Sequence, residues 1–196
     1  MPRATLVEME QDSTVTRTSY RPLECAVALY ASGAGAVEGI RALLRSGWDI
    51  DAISVVGKDS SNPEHVIGLY TSGTRKKFWA TQAESWNALS DELRDCSLFI
   101  APKLGPIIVI GPLVDGFVAT LTSIQGPHAS GVVAAALSRA GIPAERAAHY
   151  EAALESGRIV VAAAADPHRV SRAREILDET RPTELEAYPA WSLRAG

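Results

Sequence analysis

Apolar residues along this chain fall into two patterns, short unbroken runs and stripes at three- and four-residue steps. "CAVALYAS" (25–32) is an unbroken run that predicts a buried strand. In "GAGAVEGIRALLRSGW", Val37, Ile40, Leu43 and Leu44 share one helical face, and Gly47 supplies the stop. "AISVVGK" (52–58) is β-branched and predicts a second strand. "HVIGLYT" (65–71) predicts a third, after the turn-rich "DSSNP". The first two strands and the helix between them make a β-α-β unit, expected to cross over right-handedly. The second and third strands are expected to form an antiparallel hairpin.

Beyond residue 75 the period becomes helical. Phe78, Trp79, Ala83, Trp86, Leu89 and Leu93 predict an amphipathic helix over 77–94. Pro112 starts a further helix, with Leu113, Val114, Phe117, Val118, Leu121 and Ile124 on one side. "QGPHASG" breaks it, and "VVAAALSRAG" is a short helix closed by Gly141. A helix begins at Pro143, with Glu145 in its first turn and Gly157 after its end. "RIVVAAAA" (158–165) predicts a buried strand. Asp166 is the expected N-cap of a last helix striped by Val170, Ala173, Ile176 and Leu177. "TELEAY" adds an edge strand.

With the helical block set aside, the order β-α-β-β-α-β remains. The expected fold is therefore α+β, a ferredoxin-like sandwich. A helical insertion (about 75–141) separates the third strand from the second sheet-packing helix, and a C-terminal helix follows. Residues 1–22 read as a flexible polar arm, 23–188 as one domain, and 189–196 as a loose tail.

Composition narrows the functional classes. A net charge of −4 gives no basic face for nucleic acid. Cys25 and Cys96 both sit in apolar surroundings and read as reduced buried thiols, with no metal-ligand spacing between them. The N-terminus has no apolar core of a signal peptide, so a cytoplasmic protein is expected.

The most apolar stretch is "LGPIIVIGPLVDGFVATL". Its two Gly-Pro pairs and Asp115 interrupt it well short of the roughly 20 apolar residues that a spanning helix needs. A buried or subunit-facing segment is the expected reading, with membrane contact through Leu98 to Ile124 as the alternative.

No residue set forms a nucleophile–base–orienter group, so no catalytic residue, metal site or cofactor is assigned. His65, His128, His149 and His168 stand at no metal-ligand spacing. In "GPHASG", His128 and Ser130 at a helix start are candidate anion binders through free backbone N–H groups, although helix capping is the favoured explanation of the same pattern. Arg75, Lys76 and Lys77 offer three cations at a strand-to-helix junction, a candidate phosphate site that lacks the order of a phosphate loop. Asp59, Glu64 and His65 fit a solvated turn better than an ion site. Asp166 and His168 make an acid/base pair only if Asp166 is not a cap. Trp79 and Trp86 are expected on one helix face, filling a core or subunit contact as Phe117 and Leu121 do.

Four motifs carry a resemblance: "GIRALLRSGWDIDAISVVGKD", "HVIGLYTSGTRKKFW", "LGPIIVIGPL" and "GIPAERAAHYEAALESGRIVVAAA". In this order they resemble the bacterial general stress protein 17M-like (heat-induced stress protein) family of uncharacterised domains, from about Cys25 to Leu177. The resemblance implies no enzymatic activity. It also implies membrane association, through a glycine-rich hydrophobic segment that many members carry after the Phe-Trp pair. Here that segment is "ATQAESWNALSDELRDCSLFI", with Glu84, Asp91, Glu92, Arg94 and Asp95. Where the family often has a His-Gly pair after the last strand, this chain has "AAAAD". Both departures count against carrying over membrane contact or a histidine role. The resulting expectation is a non-catalytic, self-associating stress-related protein, a homo-oligomer with no nucleic-acid partner. A peripheral membrane protein and a small-ligand sensor or enzyme, with its pocket between sheet and insertion, are the alternatives.

Overall fold

The computed structural model describes residues 23–58, 68–72, 75–79, 83–93, 96–101, 104–123 and 131–191. The expected N-terminal arm and most of the expected tail lie outside them, as do His65, His128 and Ser130.

The chain opens with β1 (Leu23–Tyr30), α1 (Gly33–Arg45) and, after a 3-10 turn, β2 (Ile53–Lys58). Ser32 caps α1 by accepting a hydrogen bond from Gly35 N. A two-stranded sheet follows, made of β3 (Gly68–Ser72) and β4 (Arg75–Trp79), paired from Gly68 opposite Trp79 to Ser72 opposite Arg75. Then come α2 (Ala83–Glu92), β5 (Cys96–Ala101), β6 (Gly105–Ile110), α3 (Leu113–Ser123) and α4 (Val132–Arg139). The chain ends with α5 (Ala144–Glu155), β7 (Ile159–Ala165), α6 (Pro167–Glu179) and β8 (Glu184–Trp191). Asp166 caps α6 as expected, accepting from Arg169 N at 3.2 Å.

The main sheet has six strands in the order β5-β6-β2-β7-β1-β8, and every neighbouring pair is antiparallel. Helices cover both faces. Ala26, Ala28 and Tyr30 of β1, with Ile53, Val55, Ile108, Ile110 and Val161, pack under α1, α2 and α6. Cys25, Val27 and Leu29, with Val56, Ile107, Val109 and Val160, pack under α3, α4 and α5. Two-sided burial explains the unbroken runs "CAVALY", "IIVI" and "IVVAAAA", because neither face asks for a polar residue.

The α+β class is as expected, but the assignment of elements differs. The expected third strand contributes β3, which pairs with β4 and not with β2. The helix expected over 77–94 begins only at Ala83, because "RKKFW" is strand and completes a ribbon with the neighbouring "GLYTS". Aromatic and β-branched residues favour that pairing over a helical start. Trp79 and Trp86 therefore do not share a helix. The insertion is not purely helical, since β5 and β6 extend the main sheet beyond β2. "LGPIIVI" is a strand buried on both sides, and Pro112 precedes α3 as expected. The helix after Pro143 lies on the face opposite α1, whereas the C-terminal helix packs beside α1.

Candidate functional site

The densest set of polar side chains lies where α5 crosses the edge strand β8. Arg146, His149 and Tyr150 project together because they stand at i, i+3 and i+4 of a helix. Glu184, Glu186 and Tyr188 project toward them because they alternate along a strand. Arg146 Nε donates to Glu186 Oε2 at 3.0 Å, and its Nη2 donates to Glu184 Oε2 at 3.0 Å while also contacting Glu186 Oε1. His149 Nε2 lies 2.9 Å from both Glu184 carboxylate oxygens, and Arg158 Nη1 is 3.7 Å from one of them. Tyr188 donates its hydroxyl proton to Glu186 and shares a 2.8 Å hydrogen bond with the Tyr150 hydroxyl. The Arg146 guanidinium also sits 5.4 Å from the centre of the Tyr150 ring.

Burial, the hydrogen bond to Glu186 and that to Tyr150 push the Tyr188 phenol far above its ordinary value, so it stays protonated and donating. Burial would raise the Glu184 carboxyl, but hydrogen bonds from His149 and Arg146 outweigh it and hold the group below its usual 4.5. Arg146, His149, Tyr150 and Tyr188 all bond within the set, so the network ties α5 to the sheet edge. Sequence spacing held the signal, two faces of matching polarity, but the partners lie about forty residues apart and no local motif joins them.

The Glu184 shift has a sign that can be tested. A carboxyl depressed in the folded state stabilises the protein above its unfolded value, and that contribution disappears as pH falls through the depressed value. Glu184→Gln should therefore lower the urea midpoint near neutrality, with the gap to wild type narrowing below about pH 4.5. A gap that stays constant down to about pH 3 would contradict this.

The other candidate residues distribute as follows. Arg75, Lys76 and Lys77 form part of β4 and not a helix start, which removes the helix N-terminus that motivated a phosphate site there. The start of α4, after His128 and Ser130, already holds an anion. Glu151 of α5 accepts from Ala134 N at 2.6 Å, an internal carboxylate at the helix start that follows the candidate anion binders. Trp86 and Phe117 are fully buried, on opposite faces of the sheet, and Phe117 stacks on Phe99 at 5.7 Å. Leu121 is half-buried. Cys25 and Cys96 are buried and not joined in a disulfide, and burial pushes the Cys25 thiol well above its ordinary value.

The contact between the sheet and α3–α5 is filled by side chains, among them Phe117, Val133, Leu137, Tyr150 and Leu154, all fully buried. An open groove of about 410 Å³ lies elsewhere, between α6 and β8, lined by Ser171, Arg174, Glu175, Asp178 and Leu185. Its polar rim and the 2.7 Å Arg172–Glu175 pair beside it mark a solvated surface. Among the described residues, no three His, Cys, Asp or Glu side chains gather as a metal site requires, and no helix is long and apolar enough to cross a membrane. No protein-family model, curated protein or solved structure matches the chain.

Proposed function

We propose that this chain is a non-catalytic protein that acts by associating with copies of itself, in the stress-related role that its sequence motifs suggest. The observation that carries this reading is apolar exposure on β5, an edge strand of the main sheet. Ile100 on β5 is 68% exposed, the most of the large apolar side chains among the described residues, ahead of Val118 on α3 at 46% and Leu23 on β1 at 40%. Most of the apolar surface of the helices between β6 and β7 is covered within the molecule. The second face of the sheet takes up Leu113, Phe117, Val133 and Leu137. Among the described residues, Ile100 on the β5 edge keeps the largest apolar exposure.

Two further points support the reading. The sequence offers no nucleophile–base–orienter set, and the strongest polar network has its donors and acceptors turned toward each other. For the fold, β1, α1, β2, β7, α6 and β8 supply a β-α-β-β-α-β unit, and their spatial order β2-β7-β1-β8 supports a ferredoxin-like core. On this reading the insertion stands between the second and third strands of that core.

Sedimentation velocity of the purified protein tests self-association directly. A dimer or larger closed assembly at micromolar concentration is expected. A strict monomer there rejects the proposal.

A further inference from the structure

The two edges of the main sheet are treated differently. At one end, β8 carries Glu184, Glu186 and an exposed Pro189, and its pairing with β1 shifts register between Leu23 and Cys25. A proline, charges and a bulge all prevent another strand from adding there. At the other end, β5 reads "CSLFIA", with no charge and no proline. Among the described residues, no strand lies on its outer side.

Resting on the self-association reading above, we infer that the outer edge of β5 is the contact, and that its occupant is the β5 strand of a second copy, paired antiparallel across a twofold axis. Charge selects the occupant. A strand that pairs with itself sets like residues near like, which a charged strand resists and a neutral one permits. A partner of opposite charge finds no ionic handle on residues 96–101. Antiparallel self-pairing also closes after two copies, so it gives a dimer and not a fibre.

Side-chain alternation restricts the register. Leu98 packs with the core under α1, α2 and α6, and Phe99 with the core under α3–α5, so Ile100 returns to the Leu98 face. Residues directly opposite must share a face. A register centred on Phe99 satisfies this, placing Phe99 against its own copy and Ile100 against Leu98 of the second copy. Val118 on α3, the helix that covers the Phe99 face, is a further exposed apolar side chain. Phe99 and Phe117, stacked at 5.7 Å, join α3 to β5 on that side.

The test uses the full chain. Ile100→Lys changes an exposed side chain, so circular dichroism should match wild type, while Ile100→Val keeps the edge apolar. Wild type and Ile100→Val should sediment at twice the monomer mass. Ile100→Lys should weaken the dimer by on the order of a hundredfold and sediment as monomer. Phe99→Cys should form a covalent dimer on mild oxidation. A wild-type dimer that Ile100→Lys leaves intact overturns this interface while sparing self-association. A monomeric wild type overturns both. A monomer that floats with anionic phospholipid vesicles overturns both as well and assigns the β5 edge to lipid.

Discussion

Gly111→Ala is expected to abolish or nearly abolish folding, while Gly116→Ala, five residues along the same segment, is expected to be neutral or stabilising. Gly111 joins β6 to α3 with φ +85°, in the left-handed region that L side chains rarely adopt. A Cβ there would lie 2.1 Å from the Ile53 carbonyl oxygen, backbone at the start of β2 that cannot swing aside. The junction is also held from below. Buried Ser54 accepts from Leu113 N at 3.2 Å, and Val114 N donates to the Gly111 carbonyl at 3.0 Å. Left-handed strain and a main-chain clash together should cost at least about 3–4 kcal/mol. Gly116 lies within α3 with nothing within 4 Å of a Cβ, so alanine there gains up to about 1 kcal/mol of helix propensity. Thermal melts of the two variants beside wild type check the pair. Equal melting temperatures would refute the account of the β6–α3 junction.

That junction also shows what the sequence reveals and what it hides. The Gly-Pro pair marked the helix start, since proline at the threshold of a helix has a local cause. The N-cap of α6 was legible for the same reason, being a short-range hydrogen bond. The identity of "PIIVI" as a strand was not, because a strand buried on both faces loses its alternation and reads like any apolar run. Phe78 and Trp79 misled in the opposite direction, since their spacing to Ala83 and Trp86 matched a helix by coincidence. The network on α5 and β8 escaped because its partners meet only after β7 and α6 have returned the chain to the sheet edge. Glu151 escaped likewise. A carboxylate in the middle of one helix gives no sign that it caps another.

Trp86→Ala should destabilise the protein by about 3–5 kcal/mol, and the loss should be smaller when Gly57 is already alanine. Trp86 is the largest fully buried side chain described, and its ring occupies the space that Gly57 leaves open on β2. A Cβ at residue 57 would lie 2.4 Å from the ring's Cη2 atom and 3.2 Å from Ile159 Cγ1. Gly57→Ala alone should therefore cost about 1–3 kcal/mol by overpacking. In the Trp86→Ala background the clash with the ring is gone and the added methyl fills part of the cavity. The double variant should then be more stable than the sum of the single effects predicts, by at least about 1 kcal/mol, in a urea-denaturation cycle. Additive losses would mean that glycine at 57 serves something other than the tryptophan. The consequence reaches the proposed interface, because Trp86 and Leu89 of α2, with Leu93 just after it, share a core with Cys96 and Leu98 of β5. A loosened α2 leaves that edge strand attached to β6 but poorly backed, so Trp86→Ala should weaken self-association as well as stability.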